Sequence, residues 1–225
     1  MHIGLIGGIG PAATEFYYRG LIDRHVRAGT SLDLTIVHAD VREMSVNLAS
    51  RDARRQAEAF LPLVRRLAAA GAACAAVTSM GGHFCIRDLE AISPLPLLNA
   101  LPEVAAEIRR RGLRTVGLLG TRMVMETQLY GVLSFATVIV PQGEALDEVH
   151  RTYSEMATVG RVTEAQRRTF FTEGARLVRD RGADVVLLSG TDLFLAFQDR
   201  DCGFPVLACA DIHVEAIYQK SVANT

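Results

Sequence analysis

The sequence predicts an α/β protein of two pseudo-symmetric lobes, each a parallel sheet flanked by helices, and three observations predict it. Short apolar runs of strand length alternate with longer helical patterns along the chain, as expected for parallel strands covered on both faces. The segment Gly71 to Ser79 lines up with Gly182 to Gly190, an offset of 111 (182 − 71), and each follows a helical pattern beginning with phenylalanine, Phe60 and Phe171. Two further segments repeat at nearly this offset: Ile3-Gly4-Leu5-Ile6-Gly7 with Val116-Gly117-Leu118-Leu119-Gly120, and Pro96-Leu97-Leu98 with Pro205-Val206-Leu207. A period of ~110 residues is too long for a solenoid and reads as two domain-sized halves. In such a protein equivalent strand ends face each other across a cleft. The expected division is residues 1–98 with 208–225 as one lobe and 99–207 as the other.

Each element follows from local pattern. His2 to Ile6 is an apolar run of strand length, followed by Gly7-Gly8-Ile9-Gly10 and by Pro11, whose ring presets φ for the first position of a helix expected to reach about His25. Leu34 to Val37 is the second strand. From Val41 to Arg54 the pattern loosens, and a segment after a strand's carboxyl end is where a ligand-facing loop is expected. Ala57 to Ala70 is an amphipathic helix that tolerates Pro62 near its first turns, and Cys74 to Val77 is the third strand. The turn Thr78 to His83 leads into a short helix, then Pro94 to Leu98, then a helix from Pro102 to Arg111 closed by Gly112. The second half restarts with a strand over Thr115 to Leu119, the Gly120-Thr121 turn and a helix from Val124 to Leu133. Val138-Ile139-Val140-Pro141 is a strand. Leu146 to Met156 and Glu164 to Arg181 read as helices, Val185 to Leu188 and Pro205 to Leu207 as strands, and Asp211 to Gln219 as the terminal helix.

Composition excludes several classes. With 24 Lys plus Arg against 25 Asp plus Glu and scattered arginines, there is no electrostatic case for nucleic acid. No apolar run approaches the ~18 residues of a membrane span, and the start lacks a basic region followed by a long apolar one, so a cytoplasmic protein is expected. Cys74, Cys85, Cys202 and Cys209 show neither Cys-x-x-Cys nor zinc-like spacing, and read as thiols of a reducing compartment without a metal.

The turns after the strands hold the candidate site. Gly8-Ile9-Gly10-Pro11-Ala12-Ala13 satisfies G-x-G-x-x-A, but Asp40 stands ~30 residues on where a dinucleotide fold places an acid at ~20. A milder reading has Gly8, Gly10 and Thr14 at a helix start holding a small anion such as a carboxylate, with a plain glycine turn as the alternative. Gly120-Thr121-Arg122 repeats this form. Arg42, Arg51 and Arg122 lie on carboxyl-end segments, where an arginine is the natural bidentate partner of a carboxylate or a solvated surface residue. Cys74 falls in a buried strand and reads as packing. Cys85 stands at a helix start that favours a thiolate, and Cys209 follows the last strand.

Taken together, Gly4-Leu-Ile-Gly-Gly-Ile-Gly-Pro-Ala-Ala-Thr14, Val116-Gly-Leu-Leu-Gly-Thr121 with Met125 and Tyr130, Gly182-Ala-Asp-Val-Val-Leu-Leu with Thr191-Asp192, and Ile212-His213 resemble the aspartate/glutamate racemase family over nearly the whole chain. The resemblance implies two pseudo-symmetric α/β lobes with the active site between them and an enzyme without cofactor. It further implies one cysteine from each lobe to remove and return the α-proton of an amino acid, and makes a homodimer an expectation. The family motifs are Cys-Asn-Thr-x-His and Gly-Cys-Thr-Glu. Anchored on His83, the first cysteine position is Ser79, followed by Met80 and Gly81; anchored on Thr191-Asp192, the second is Gly190, preceded by Ser189.

Both thiols are absent, so the symmetric mechanism cannot run in its usual form. An alcohol needs an adjacent base, and His83 is the candidate base for Ser79. Relatives with a single thiol and a threonine at the first position, and decarboxylases with one cysteine, make altered chemistry at the α-carbon the leading reading. Gly8, Gly10, Thr14, Arg42, Arg51, Thr78, Met80, Gly81, Thr121 and Arg122 would bind the small carboxylate or amino acid, and Ser189, Thr191 and Asp192 would shape its other side. Ligand binding without turnover and a decarboxylase or lyase are the alternatives. Restoring both cysteines is expected to create or raise racemase activity on this reading.

Overall fold

The computed structural model describes residues 1–223 and resolves the chain into two compact units: Met1–Ala100 with the chain from Ala210 onward, and Leu101–Cys209. In the first unit, strands β1 (Ile3–Gly7), β2 (Leu34–His38) and β3 (Cys74–Val77) form a parallel sheet of order β2-β1-β3. Ile3 pairs with both Leu34 and Cys74, and a parallel bridge from Ala75 to Leu97 extends the sheet by one rung. In the second unit, β4 (Thr115–Leu119), β5 (Thr137–Ile139), β6 (Val185–Leu188) and β7 (Val206–Ala208) form a parallel sheet of order β5-β4-β6-β7. Val186 pairs with Val206 as Ala75 pairs with Leu97. The repeated sequence therefore codes the same strand order twice.

The central strands β1, β3 and β6 are buried along their whole length, which is why they read as unbroken apolar runs, while the edge strands β2 and β5 are partly exposed. Helices α1 (Pro11–Ala28) and α10 (Cys209–Val222) cover one face of the first sheet, where Tyr17, Leu21, Val214 and Ile217 pack on Ile3, Leu5 and Ala76. Arg24 ties the two helices through Asp211 and Glu215 at 2.9 and 2.7 Å. Helices α2 (Val41–Ala49), α3 (Ala53–Ala69) and α4 (Ile86–Ile92) build the core of the other face around Phe60, Val64, Leu67 and Val77. After α5 (Ala100–Arg110), the second unit carries α6 (Arg122–Glu126), α7 (Glu144–Val159), α8 (Glu164–Arg179) and α9 (Phe194–Phe197), with a core of Tyr153, Met156, Phe170, Leu177 and Val186.

Four expectations need correction. The segment after β2 is the helix α2, because Asp40 caps it by accepting the Arg42 N–H at 2.8 Å. Pro62 lies in the interior of α3, which begins at Ala53 under an Asp52 cap, and not in its first turns. The helix expected to Leu133 ends at Glu126, because Gln128, Leu129 and Tyr130 take left-handed φ of 51°, 56° and 58°. A 3₁₀ turn over Thr191–Leu193 and the helix α9 follow β6, where no helix was expected. Among the described residues no helix is long and apolar enough to cross a membrane.

Candidate functional site

Equivalent strand ends in the two units carry the candidate residues. In the first unit the chain leaves β3 with the Thr78 N–H donating to the Ile6 carbonyl at 3.1 Å; in the second it leaves β6 with the Ser189 N–H donating to the Leu119 carbonyl at 2.8 Å. Beyond these matched bonds lie Ser79 and Gly190. Thr78 turns its hydroxyl to the Ile6 carbonyl, and Ser189 donates to Leu187, so neither is aimed outward.

At the first strand end, Ser79 is 5% exposed and its Oγ accepts the Gly82 N–H at 3.2 Å. Met80 and Gly81 are buried beside it, Gly81 opening a 3₁₀ turn over Gly81–Cys85. His83 does not face the Ser79 hydroxyl. Its Nδ1–H donates to the Ser79 carbonyl at 2.6 Å, which leaves Nε2 as the acceptor of the Ala100 N–H at 3.3 Å. Both ring nitrogens are thereby engaged with backbone, so the expected serine–histidine pair is absent and the ring is held neutral. Burial lowers the His83 pKa to about 4 against the weaker opposing effect of the Ser79 carbonyl.

His213 packs edge-on against His83, ring centroids 5.7 Å apart. Its Nε2–H donates to the Leu98 carbonyl at 2.8 Å and its Nδ1 accepts the Tyr17 hydroxyl at 2.9 Å. Burial, with His83 adding to it, brings its pKa down to about 3. The two imidazoles form a neutral polar network within the first unit. Cys85 is no thiolate: burial raises its pKa to about 12, and its Sγ–H donates to the Gly82 carbonyl at 3.3 Å. The same cause takes Cys209 to about 12, and all four cysteines are free thiols.

The glycine turn after β1 is braced internally by Thr14. The Gly8 N–H donates to Thr14 Oγ1 at 2.9 Å, and that hydroxyl donates in turn to the Gly10 carbonyl at 3.2 Å. Gly8 has φ +88°, and a Cβ there would lie 2.5 Å from His38 Nδ1, so glycine is required by the turn itself. Thr121 caps α6 by accepting the Val124 N–H at 3.4 Å. Arg122 pairs with Asp147 and Glu126, and its N–H donates to His150 Nδ1 at 3.3 Å. Arg42 is 88% exposed and doubly bonded to Asp40, while Arg51 sits exposed at φ 55° between α2 and α3. The structure thus gives these arginines intramolecular or surface roles, and brings Ser79, Met80, Gly81 and His83 together at one strand end, with Ser189, Gly190, Thr191 and Asp192 at the other.

The second strand end holds a residue that the sequence did not single out. A Cβ at Gly190 would stand 2.3 Å from Tyr153 Cε2 and 2.7 Å from Cζ, so the ring occupies the space of any side chain there. The Tyr153 hydroxyl donates to Asp192 Oδ2 at 3.1 Å. Burial first, and then the Asp192 charge, raises the Tyr153 pKa well above 10, with the neighbouring Thr191 hydroxyl opposing. That hydroxyl is buried and makes no hydrogen bond of ordinary geometry. Tyr153 lies on the inward face of an amphipathic helix 37 residues before Gly190 (190 − 153), where it reads as core; the bare glycine at a motif position was the available signal. Among the described residues no group of three His, Cys, Asp or Glu is placed to hold a metal ion.

A family model for Asp/Glu/Hydantoin racemase matches residues 6–217. A Yersinia pestis protein named for the Asp/Glu racemases superposes with a TM-score of 0.79 at 28% identity, over 99% of this chain and 100% of its own. An aspartate racemase homologue from Pyrococcus horikoshii OT3 gives 0.79 at 26% identity, over 98% and 99%. The glutamate racemase of Francisella tularensis, solved with D-glutamate, shares the fold at 0.67 and 11% identity, over 99% of this chain and 81% of its own. With the repeat and both sheets accounted for over nearly its whole length, the chain belongs to the Asp/Glu/Hydantoin racemase family.

Proposed function

We propose that the chain is a cofactor-independent enzyme of this family that acts at the α-carbon of a small amino or carboxylic acid, by chemistry altered from racemisation between two thiols. The observation that supports it is the state of the matched strand ends, a hydroxyl bonded to a backbone N–H at Ser79 and a bare glycine under a tyrosine ring at Gly190. Around them Cys85, Cys209 and Tyr153 all hold their protons at neutral pH, and both His83 nitrogens are engaged. Groups that keep their protons cannot serve as bases, and protons held this tightly pass only to a strongly basic centre such as a carbanion. The distribution favours a decarboxylase or lyase relative. When the bond from the α-carbon to a carboxylate breaks, its electron pair stays on the carbon, carbon dioxide leaves, a hydroxyl donates the proton, and water reprotonates that hydroxyl.

Ligand binding without turnover is the second reading, and the saturation of both His83 nitrogens is the observation that favours it. A homodimer in the cytoplasm belongs to the same family-based reading. Proton NMR in D2O separates the two, with each enantiomer of aspartate and glutamate and a panel of small acids that includes 2-substituted malonates. The enzyme reading expects protein-dependent loss of an α-proton signal, or a decarboxylated product carrying deuterium at the α-carbon. Calorimetric binding with neither change would replace it by the binding reading.

A further inference from the structure

We propose that Tyr153 takes the place of a side chain at position 190 and closes that strand end to proton transfer, so that a proton exchanged or delivered at the α-carbon by this chain moves on one face only. The inference rests on the α-carbon reading above. Its geometry lies wholly within the second unit. Gly190 has an ordinary extended backbone, φ −114° and ψ 125°, so glycine is not required there by conformation. It is required by space: three ring atoms of Tyr153 stand 2.3, 2.7 and 3.0 Å from where a Cβ would be. The ring is not free to swing aside, because it is buried in the core with Met156 and Phe170 and its hydroxyl is held by the buried Asp192.

The first unit shows what the same architecture does without the tyrosine. There the helix following the second strand, α2, brings Met44 toward the end of β3, where its Sδ lies 3.7 Å from a Cβ built on Gly82. Position 79 there carries its side chain, whose Oγ accepts the Gly82 N–H at 3.2 Å. In the second unit the helix following the second strand, α7, brings Tyr153, and position 190 has no side chain. A cysteine at 190 and the present ring therefore exclude each other. A phenol that donates to a carboxylate is no substitute base, since taking a proton would require it first to become a phenolate beside that carboxylate. Because the present ring fills the space of a Cβ at 190, cysteines restored at 79 and 190 are expected to form a two-thiol site only if Tyr153 is also made smaller.

The test combines a thermal cycle with a stereochemical one. Gly190→Cys is expected to lower Tm by roughly 5 °C or more in the wild-type and Tyr153→Phe backgrounds, which keep the ring, and by no more than about 1 °C in the Tyr153→Ala background. Gly190→Ala compared between wild type and Tyr153→Leu gives the same reading should Tyr153→Ala not fold. Equal losses in every background would overturn the proposal. In D2O, exchange with retention or a decarboxylated product deuterated in a single configuration is expected of the wild type, and inversion or a racemic deuterated product would also overturn the proposal. If no ligand exchanges or reacts, the α-carbon reading fails, while the thermal cycle still decides whether Tyr153 occupies the position.

Discussion

Two imidazoles 5.7 Å apart, both neutral and both bonded at each nitrogen, make a pH-sensitive point in the first unit. Burial places the folded pKa of His83 at about 4 and of His213 at about 3, below the unfolded value near 6.5. The unfolded chain therefore binds more protons as the pH falls below about 6.5, and stability declines from there toward the folded values. Between pH 7 and pH 5 the signal belongs mainly to the histidines, because Asp40 and Glu107, lowered to about 2 in the fold, begin to add their own loss only as the unfolded chain's carboxyls protonate near pH 4. His25 and His150 shift in the same direction, chiefly by desolvation, and add to the effect. Urea unfolding at pH 7 and pH 5 is expected to show a loss on the order of 2 kcal/mol for each of His83 and His213. His213→Gln should shrink that pH dependence. A free energy that stays flat between the two pH values would refute the neutral pair. The sequence placed His83 in the site and His213 only in a family motif, and gave His83 the Ser79 hydroxyl as partner, since spacing alone does not say whether a histidine four residues on reaches a hydroxyl or a carbonyl.

At the scale of elements, legibility tracked burial and local chemistry. The strands Cys74–Val77, Thr115–Leu119 and Val185–Leu188 were read at their observed bounds, because an apolar run flanked by turn residues has little freedom to slide. The helix α2 was missed for want of a strong apolar stripe: its order comes from the Asp40 cap and from buried Asn47, whose Nδ2–H donates to Gln56 Oε1 at 3.0 Å on α3. The end of α6 was misread for a different reason. Val124 to Leu133 keeps helical composition, yet three consecutive residues adopt left-handed φ before Gly131, with the Tyr130 N–H donating to Thr127 Oγ1 at 3.1 Å. L-residues disfavour that conformation by roughly 1–2 kcal/mol each. Gln128 is the exposed member of the run. Gln128→Gly is expected to raise the unfolding free energy by about 1 kcal/mol, the relief of strain exceeding the added entropy of the unfolded chain. A lower urea midpoint would show that the side chain does more there than the backbone requires.

At the scale of the whole molecule, one packing device is used twice. In the first unit a Cβ on Gly4 of β1 would lie 2.8 Å from Leu67 Cδ1 of α3; in the second a Cβ on Gly117 of β4 would lie 3.1 Å from Leu177 Cβ of α8. Both glycines sit in the repeated strand, and both leucines end a helix that leads into the next repeated strand, so the likeness seen in sequence is carried into helix-on-sheet contact. The two leucines belong to separate cores, Leu67 with Phe60 and Val64, Leu177 with Phe170 and Val186. Sites without shared partners contribute independently, whereas sites in one core do not. Gly4→Ala and Gly117→Ala are each expected to cost about 1 to 3 kcal/mol from forced repacking, with Gly4→Ala the larger because its contact is the tighter. The double variant should lose the sum of the two to within about 0.5 kcal/mol. A double variant markedly less destabilised than that sum would mean that the two cores share a response to overpacking, and the twofold repeat would then describe one cooperative core instead of two.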